Sequence, residues 1–277
     1  MVTARQTTPR RGHGGDDDVA VKHFAAADTE ALKCWGSGHA NERVAARAVA
    51  GSAPEVVGTW SDDAGDHLAY RWVHGTPLRP GGEAARAAGE LLREVHATTG
   101  PWWGSLDGRF VFEDPVAALS SRFGHAVRLV AGVDEALARA LERWGDAALG
   151  ELVVAGPPRL VHGDFGPANL VETTTGLVAL DWEHARWGHP AEDWAKIRLG
   201  LRFAEPNAFD AARWPTGDLL AGYGDEAARH VADGALTSFL VVYYAATLGA
   251  FFEGRPNPRL DWIRDGVAMD GAGYAVG

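Results

Sequence analysis

Between Pro157 and Asp181 the chain is more tightly constrained than anywhere else. Leu160-Val161, entered through Pro157 and Pro158, is a short apolar run that reads as a buried strand. It opens into His162-Gly163-Asp164-Phe165-Gly166-Pro167-Ala168-Asn169, a loop rich in turn formers. Two apolar-rich runs follow, Asn169-Leu170-Val171-Glu172 and Leu177-Val178-Ala179-Leu180, separated by Thr173-Thr174-Thr175-Gly176. A glycine-ended polar spacer of that length predicts a β-hairpin. Pairing Glu172 with Leu177 sets Asn169 opposite Leu180 and leaves Asp181 one step beyond. Directly opposed residues lie roughly 5 Å apart. The hairpin should therefore bring the Asn169 amide and the Asp181 carboxylate to one end of the ladder.

That juxtaposition carries chemistry. One carboxylate and one amide oxygen, completed by water and phosphate oxygens, form the sparse set that Mg²⁺ accepts. Asp164 is expected across the same pocket, off the metal and able to orient a hydroxyl. Singly, these residues say little, since Asp caps turns and Asn forms them. The conjunction of strand, His-x-Asp, Asn, hairpin and Asp is what constrains. His162 is expected to orient the loop from a buried ring, with a role as base or metal ligand as the alternative.

The spacing of His162, Asp164 and Asn169 is that of the protein-kinase catalytic loop H-R-D-x-x-x-x-N, where Asp takes the substrate proton and Asn holds a metal. Together with Asp181 and Gly188-His189-Pro190-Ala191-Glu192-Asp193-Trp194-Ala195, the set resembles the aminoglycoside phosphotransferase and choline kinase superfamily. Its members carry H-G-D-x-x-x-x-N, an I-D-W/F-E-type segment, and a G-x-P-x-x-D-hydrophobic-A turn. Gly163, where protein kinases have Arg, favours this small-molecule branch. The resemblance implies a two-lobed, protein-kinase-like α+β fold. Residues 1–75 would form a small nucleotide-binding lobe ending in a hinge. Residues 76–277 would form a mainly helical lobe with the catalytic loop and substrate site.

It further implies transfer of the γ-phosphate of ATP or GTP to a small-molecule hydroxyl. Asp164 would be catalytic, Asn169 and Asp181 would hold Mg²⁺, and Asp193 would buttress the loop. An aminoglycoside or other natural-product antibiotic is the leading acceptor. A metabolic kinase acting on choline, an amino alcohol or a sugar shares the same signature. A reading from another class is a metal-dependent phosphoester hydrolase with His162, Asp164, Asp181 and His184 as ligands.

The remaining pattern follows the order of a kinase small lobe. Val19–Phe24 and Glu30–Trp35 read as a hairpin, Asn41–Ala50 as a helix, and Val56–Trp60 and Leu68–Val73 as strands around an acidic turn. Arg71-Trp72-Val73-His74-Gly75-Thr76-Pro77-Leu78 resembles the family's hinge, E-W-I-x-G-x-x-L, whose backbone near Arg71 to Val73 would meet the nucleobase. Two lysines compete to hold the phosphates against Glu42. Lys22 sits in a V-A-V-K tetrapeptide, whereas Lys33 lies on the strand expected to run directly into the Glu42 helix, and topology favours Lys33. Gly12-His13-Gly14-Gly15 is a candidate phosphate-covering turn, though Asp16-Asp17-Asp18 follows it.

Composition narrows the partners. A formal net charge of −11 over 277 residues argues against nucleic-acid binding, which needs clustered Lys and Arg. It leans instead towards a cationic acceptor. The single cysteine, Cys34, excludes an internal disulfide, and a polar N-terminus gives no signal peptide, so a cytoplasmic setting is expected. The uncharged stretch Gly234–Phe252 contains Thr237, Ser238 and Thr247 and is expected as a buried helix rather than a membrane span. Trp214, Tyr223, Tyr243, Tyr244, Phe251, Phe252 and Trp262 are expected chiefly in the core, with a ring-binding pocket as the alternative. Oligomeric state is not legible.

Overall fold

Three short strands build a sheet in the computed structural model, which describes residues 19–25, 37–203, 209, 213–224, 231–232, 234–250 and 257–268. β1 (Val19–Ala25) pairs antiparallel with β3 (Gly65–Arg71), which also pairs with β2 (Val56–Asp62). The expected acidic turn joins β2 to β3, and Asp62 Oδ1 accepts from the Ala64 amide at 2.8 Å. The register sets Lys22 opposite Leu68, which is fully buried. Opposed residues share a face, so Lys22 is directed inward, towards helix α1 (Gly38–Ala48). The second predicted strand, Glu30–Trp35, and the Gly12–Gly15 turn lie outside the described residues, as do Phe251 and Phe252.

Helix α1 turns a partly polar face inward. Val44 and Ala48 are only partly buried, while Asn41, Glu42 and Ala45 form the buried stripe. The two polar residues turn inward because both have partners there: the Asn41 amide donates to Glu183 O at 2.9 Å, and Glu42 receives Lys22 and Tyr70.

β4 (Thr76–Pro77) pairs with β8 (Leu170–Thr173), which turns into β9 (Gly176–Ala179). The chain leaving the first sheet is thus stitched directly to the predicted hairpin. Helix α2 (Gly82–Ala97) follows, then β5 (Trp103–Ser105) and β6 (Val111–Phe112). Helices α3 (Pro115–Ala131) and α4 (Glu135–Glu151) come next. Asp114 caps α3 by accepting from Val116 N, with Pro115 in the first turn, and Asp134 caps α4 by accepting from Leu137 N. α3 runs on to Ala131 because Ala126 and Val130 continue its buried stripe.

β7 (Arg159–Val161) and β10 (Arg186–Gly188) are paired and flank the hairpin in sequence. The last helices are α5 (Ala191–Arg202), α6 (Thr216–Tyr223), α7 (Ala235–Ala250) and α8 (Pro258–Ala268). α7 is apolar all round and buried nearly throughout, as a helix at the centre of a lobe must be. Among the described residues no helix is long and apolar enough to cross a membrane. Trp214, Tyr223, Tyr243 and Tyr244 are buried core residues.

The apolar interior has two parts. One joins Ala45 of α1 to α2, the hairpin, α5 and α6; the other joins α3, α4, α5, α7 and α8. α5 feeds both, through Trp194 and Ile197 on one side and Ala191, Ala195 and Leu199 on the other. The result is the expected α+β arrangement of a small antiparallel sheet and a mainly helical body.

Candidate active site

The hairpin forms in the predicted register. Glu172 faces Leu177, Leu170 faces Ala179, and the Leu180 amide donates to Asn169 O at 2.8 Å. Asn169 and Asp181 consequently stand at one end of the ladder. Asp181 then leaves the strand with φ 64° and ψ 58°, the only positive φ outside glycine among the described residues. Asp is one of the few side chains that tolerate this left-handed geometry.

The loop ahead of Asp164 hangs on one buried carboxylate. Asp193 Oδ2 accepts from the His162 amide at 2.8 Å, and Oδ1 accepts from the Gly163 amide at 2.7 Å. His96 Nε2 approaches Oδ2 at 3.0 Å, and its Nδ1 lies 2.8 Å from the Tyr223 hydroxyl. Burial pushes Asp193 up, but its bonds from His96 and the loop hold it below the usual carboxylate range. The buttressing role expected of Asp193 is met, and His96 is one of its supports rather than a ligand.

His162 is fully buried, and burial lowers its pKa. Its Nδ1 accepts from the Asp164 amide at 3.3 Å and its Nε2 donates to Leu180 O at 2.9 Å, a pattern that assigns the proton to Nε2. The ring thus ties the catalytic loop to the strand that ends at Asp181, the structural role expected of it. Gly163 has φ +80°, and a Cβ there would collide with the His184 carbonyl and come within 2.8 Å of Arg186 Nη1. That is why no larger residue occupies this place.

Asp164 emerges half-exposed from this fixed frame. The Asn169 amide nitrogen donates to Asp164 O at 2.9 Å and lies 3.3 Å from Oδ2. Its amide oxygen is therefore left as the acceptor end. Lys196 Nζ lies 3.4 Å from Asp164 Oδ1. Burial opposes ionisation of Asp164, but Lys196 together with His184 and His162 holds the carboxylate below its ordinary range. Asp164, Asn169, Asp181 and Lys196, with Phe165, Ile197 and Phe209, line one cavity of about 260 Å³.

Among the described residues, the lysine against Glu42 is Lys22. Its ammonium bonds Glu42 Oε1 and Asp181 Oδ1 and lies 3.1 Å from Glu183 Oε2, while the Tyr70 hydroxyl donates to the other Glu42 oxygen. Burial alone would lower the Lys22 pKa, but Glu42, Asp181 and Glu183 together raise it, so the lysine stays charged. The expectation placed Lys33 in this pair; among the described residues it is Lys22 that meets Glu42. β1 itself carries the partner of Glu42, through the register that turns Lys22 inward. Lys33 lies outside the described residues.

Arg71 ends β3, where its amide donates to Glu55 O at 2.9 Å and its guanidinium meets Glu55 Oε2 at 2.7 Å. Val73 follows in the irregular link to β4. These residues join the first sheet to the hairpin, as a hinge would.

Oxygen donors for a hard cation are in place: the Asp181 carboxylate and the Asn169 amide oxygen line the same cavity. Among the described residues, Glu42, Asp181 and Glu183 form the one group of His, Cys, Asp or Glu side chains close enough to share an ion, within 4.8 Å. Neither His162, spent on Leu180 and Asp164, nor His184 belongs to it. The four-ligand set of a hydrolase is not assembled.

Two site residues escaped the sequence reading. Glu183 lies within the D-W-E segment, and Lys196 stands three residues after Asp193, one turn along α5 on the face that meets the loop. Behind Lys196, the buried Glu192 accepts from Arg122 and Arg186, and Arg186 also donates to the Tyr244 hydroxyl. Burial would raise Glu192, but the two guanidiniums drive it far below the carboxylate range.

The described geometry is shared with known folds. A thermostable mutant of aminoglycoside phosphotransferase APH(4)-Ia superposes with a TM-score of 0.62 at 15% identity, over 94% of this chain and 89% of that one. A choline/ethanolamine kinase family protein from Mesorhizobium loti gives 0.55 at 17% identity, over 92% and 83%. LicA in complex with AMP gives 0.54 at 15% identity, over 96% and 91%. At these identities the likeness is one of fold. No curated protein sequence matches the chain significantly. The profile of the phosphotransferase enzyme family (APH) matches residues 7–230, and the chain belongs to that family.

Proposed function

We propose that this phosphotransferase moves the γ-phosphate of ATP or GTP to a hydroxyl of a small molecule. The observation that carries the reading is the convergence of Asp164, Asn169 and Asp181 on one cavity, with Lys22 held against Asp181 by Glu42. Asp164, half-exposed and kept ionised, orients the acceptor hydroxyl and takes its proton. Asn169 fixes the Asp164 loop through its amide nitrogen. Lys22, pre-positioned by Glu42, is the cation for the nucleotide phosphates. Mg²⁺ held by Asp181 and the Asn169 oxygen would neutralise charge on the phosphate oxygens.

On this reading residues 1–75 form the nucleotide-side lobe and 76–277 the larger one. Backbone groups at Arg71 and Val73 meet the nucleobase, and a cytoplasmic setting supplies the nucleotide. The likeness to a structure that holds AMP supports the nucleotide site.

An aminoglycoside or another natural-product antibiotic is the first acceptor class to test, given the likeness to an aminoglycoside phosphotransferase. Amino alcohols are the second, on the likeness to a choline/ethanolamine kinase family protein. The purified protein should be incubated with Mg²⁺ and ATP or GTP against aminoglycosides, other antibiotics, amino alcohols and sugars. Nucleoside diphosphate release and a phosphate-mass gain on one acceptor are expected. Transfer to protein side chains alone, with no small-molecule acceptor, would overturn the reading.

A further inference from the structure

Lysine is rare in this chain. Of its 26 basic residues three are lysines, Lys22, Lys33 and Lys196, and the rest are arginines. Two of the three are found at the site. Lys22 is engaged with Asp181, Glu42 and Glu183, on the side assigned to the nucleotide. Lys196 stands on the other side, with Nζ 3.4 Å from Asp164 Oδ1. The segment Phe165-Gly166-Pro167-Ala168 between Asp164 and Asn169 carries no charge of its own, so a cation beside Asp164 must come from elsewhere in the fold.

α5 supplies it in a fixed position. The Lys196 ammonium lies 5.3 Å from the centroid of the Tyr244 ring, a cation–π distance. Tyr244 is itself buried and bonded to Arg186. A lysine kept only for stability gains little from a half-exposed carboxylate. A compact ammonium on the cavity wall, braced from behind, is suited to an anion that arrives there.

We propose that Lys196 is a second phosphate-contacting cation: its ammonium, held beside Asp164 before reaction, binds the transferring phosphoryl group as the acceptor attacks. This rests on the phosphotransferase reading above. In the step, the acceptor oxygen forms a bond to the γ-phosphorus, and the bond from that phosphorus to the β–γ bridging oxygen breaks. The hydroxyl proton passes to Asp164, and the nucleoside diphosphate leaves with the electron pair. Charge spreads over the three equatorial oxygens of the phosphoryl group while the Asp164 carboxylate stands next to it. Lys196 offsets that repulsion beside Asp164, whereas Lys22 acts from the nucleotide side, against Asp181 and Glu42.

The test needs no knowledge of the acceptor. ADP, Mg²⁺ and aluminium fluoride mimic the transferring group, and calorimetry gives ADP affinity with and without the fluoride. Lys196→Met keeps the aliphatic stem against Tyr244 and removes the charge. It should bind ADP within a few-fold of the parent but lose the tightening by aluminium fluoride. With an acceptor in hand, its kcat should fall by roughly 10²–10³-fold, the loss seen for one transition-state donor. Lys196→Arg should recover part of both effects. Undiminished tightening in Lys196→Met, or a rise in acceptor KM at unchanged kcat, would overturn the proposal. A parent protein that binds no Mg·ADP would strike the phosphotransferase reading itself, and this inference with it.

Discussion

The Gly163 amide donates to Asp193 Oδ1 at 2.7 Å, and the His162 amide donates to Oδ2 of the same carboxylate at 2.8 Å. One side chain of α5 therefore sets the direction in which the next residue, Asp164, leaves the backbone. Because Asp193 is wholly buried, this constraint is also a folding constraint.

Asp193→Ala would strand the His162 and Gly163 amides and His96 without their acceptor. Breaking a buried charge-assisted network of this kind costs about 3–5 kcal/mol. Urea denaturation should register a loss of that size. Asp193→Asn, which keeps one acceptor oxygen, should lose less. Parent-like stability of the alanine variant would show that the loop is held by something else.

Gly163→Ala is expected to cost activity more than stability. The left-handed backbone penalises a Cβ by roughly 1–2 kcal/mol, and the collision with the His184 carbonyl must be relieved by moving the loop. A displacement of about 1 Å at a reacting group costs on the order of 10²-fold in rate. Steady-state kcat on a well-folded variant is the measurement, and an unchanged kcat would show that the loop has slack.

Asp164→Asn should lower kcat by about 10²–10⁴-fold, the usual contribution of general-base assistance. Nucleotide affinity should stay within a few-fold, since Lys22 and Asp181 are untouched. Near-normal turnover at saturating substrates would remove Asp164 from the chemistry.

Lys22→Met should raise the nucleotide KM, depress kcat and destabilise the fold, because Glu42 is left buried without its cation. Losing one partner of a buried pair costs about 3–5 kcal/mol. The double variant Lys22→Met/Glu42→Gln should regain much of the stability and none of the activity. Lys33→Ala should change neither. The reverse ranking of the two lysines would return the role to Lys33.

Acid stability should depend on Glu192. Its pKa is lowered in the folded protein, so the unfolded chain binds more protons between the folded and unfolded values. The stability this supplies is complete above the ordinary Glu range, near pH ~4.3, and drains away as pH falls. Glu192→Gln should be less stable than the parent at neutral pH, with a flatter decline below that range. Denaturation midpoints between pH 3 and 7 would show it, and parallel declines would exclude Glu192 from the acid transition.

The hairpin was legible because its register depends on local matters: a glycine-ended turn and two apolar runs that fix Glu172 on Leu177. The structural role of His162 was read from the loop ahead of the hairpin, and that of Asp193 from the family resemblance. The place of Lys22 against Glu42 was not legible because the decision lies outside β1. Only its pairing with β3, which places Lys22 on the Leu68 face, tells an inward lysine from an exposed one. Lys196 left no signature for a similar reason. A helical residue acquires its place beside Asp164 through the docking of α5, which no short-range pattern records.

Asp181 differs from Asp193 in how it can be lost. Its left-handed backbone is comfortable for Asn and Gly as well as Asp, and its side chain is partly open to the cavity. A single replacement there could delete the charge and leave the architecture standing. Catalytic silence and folding failure are thus separable outcomes in this chain. A descendant could keep the cleft and any surface recognition while ceasing to transfer phosphate, a short mutational route from enzyme to inert scaffold.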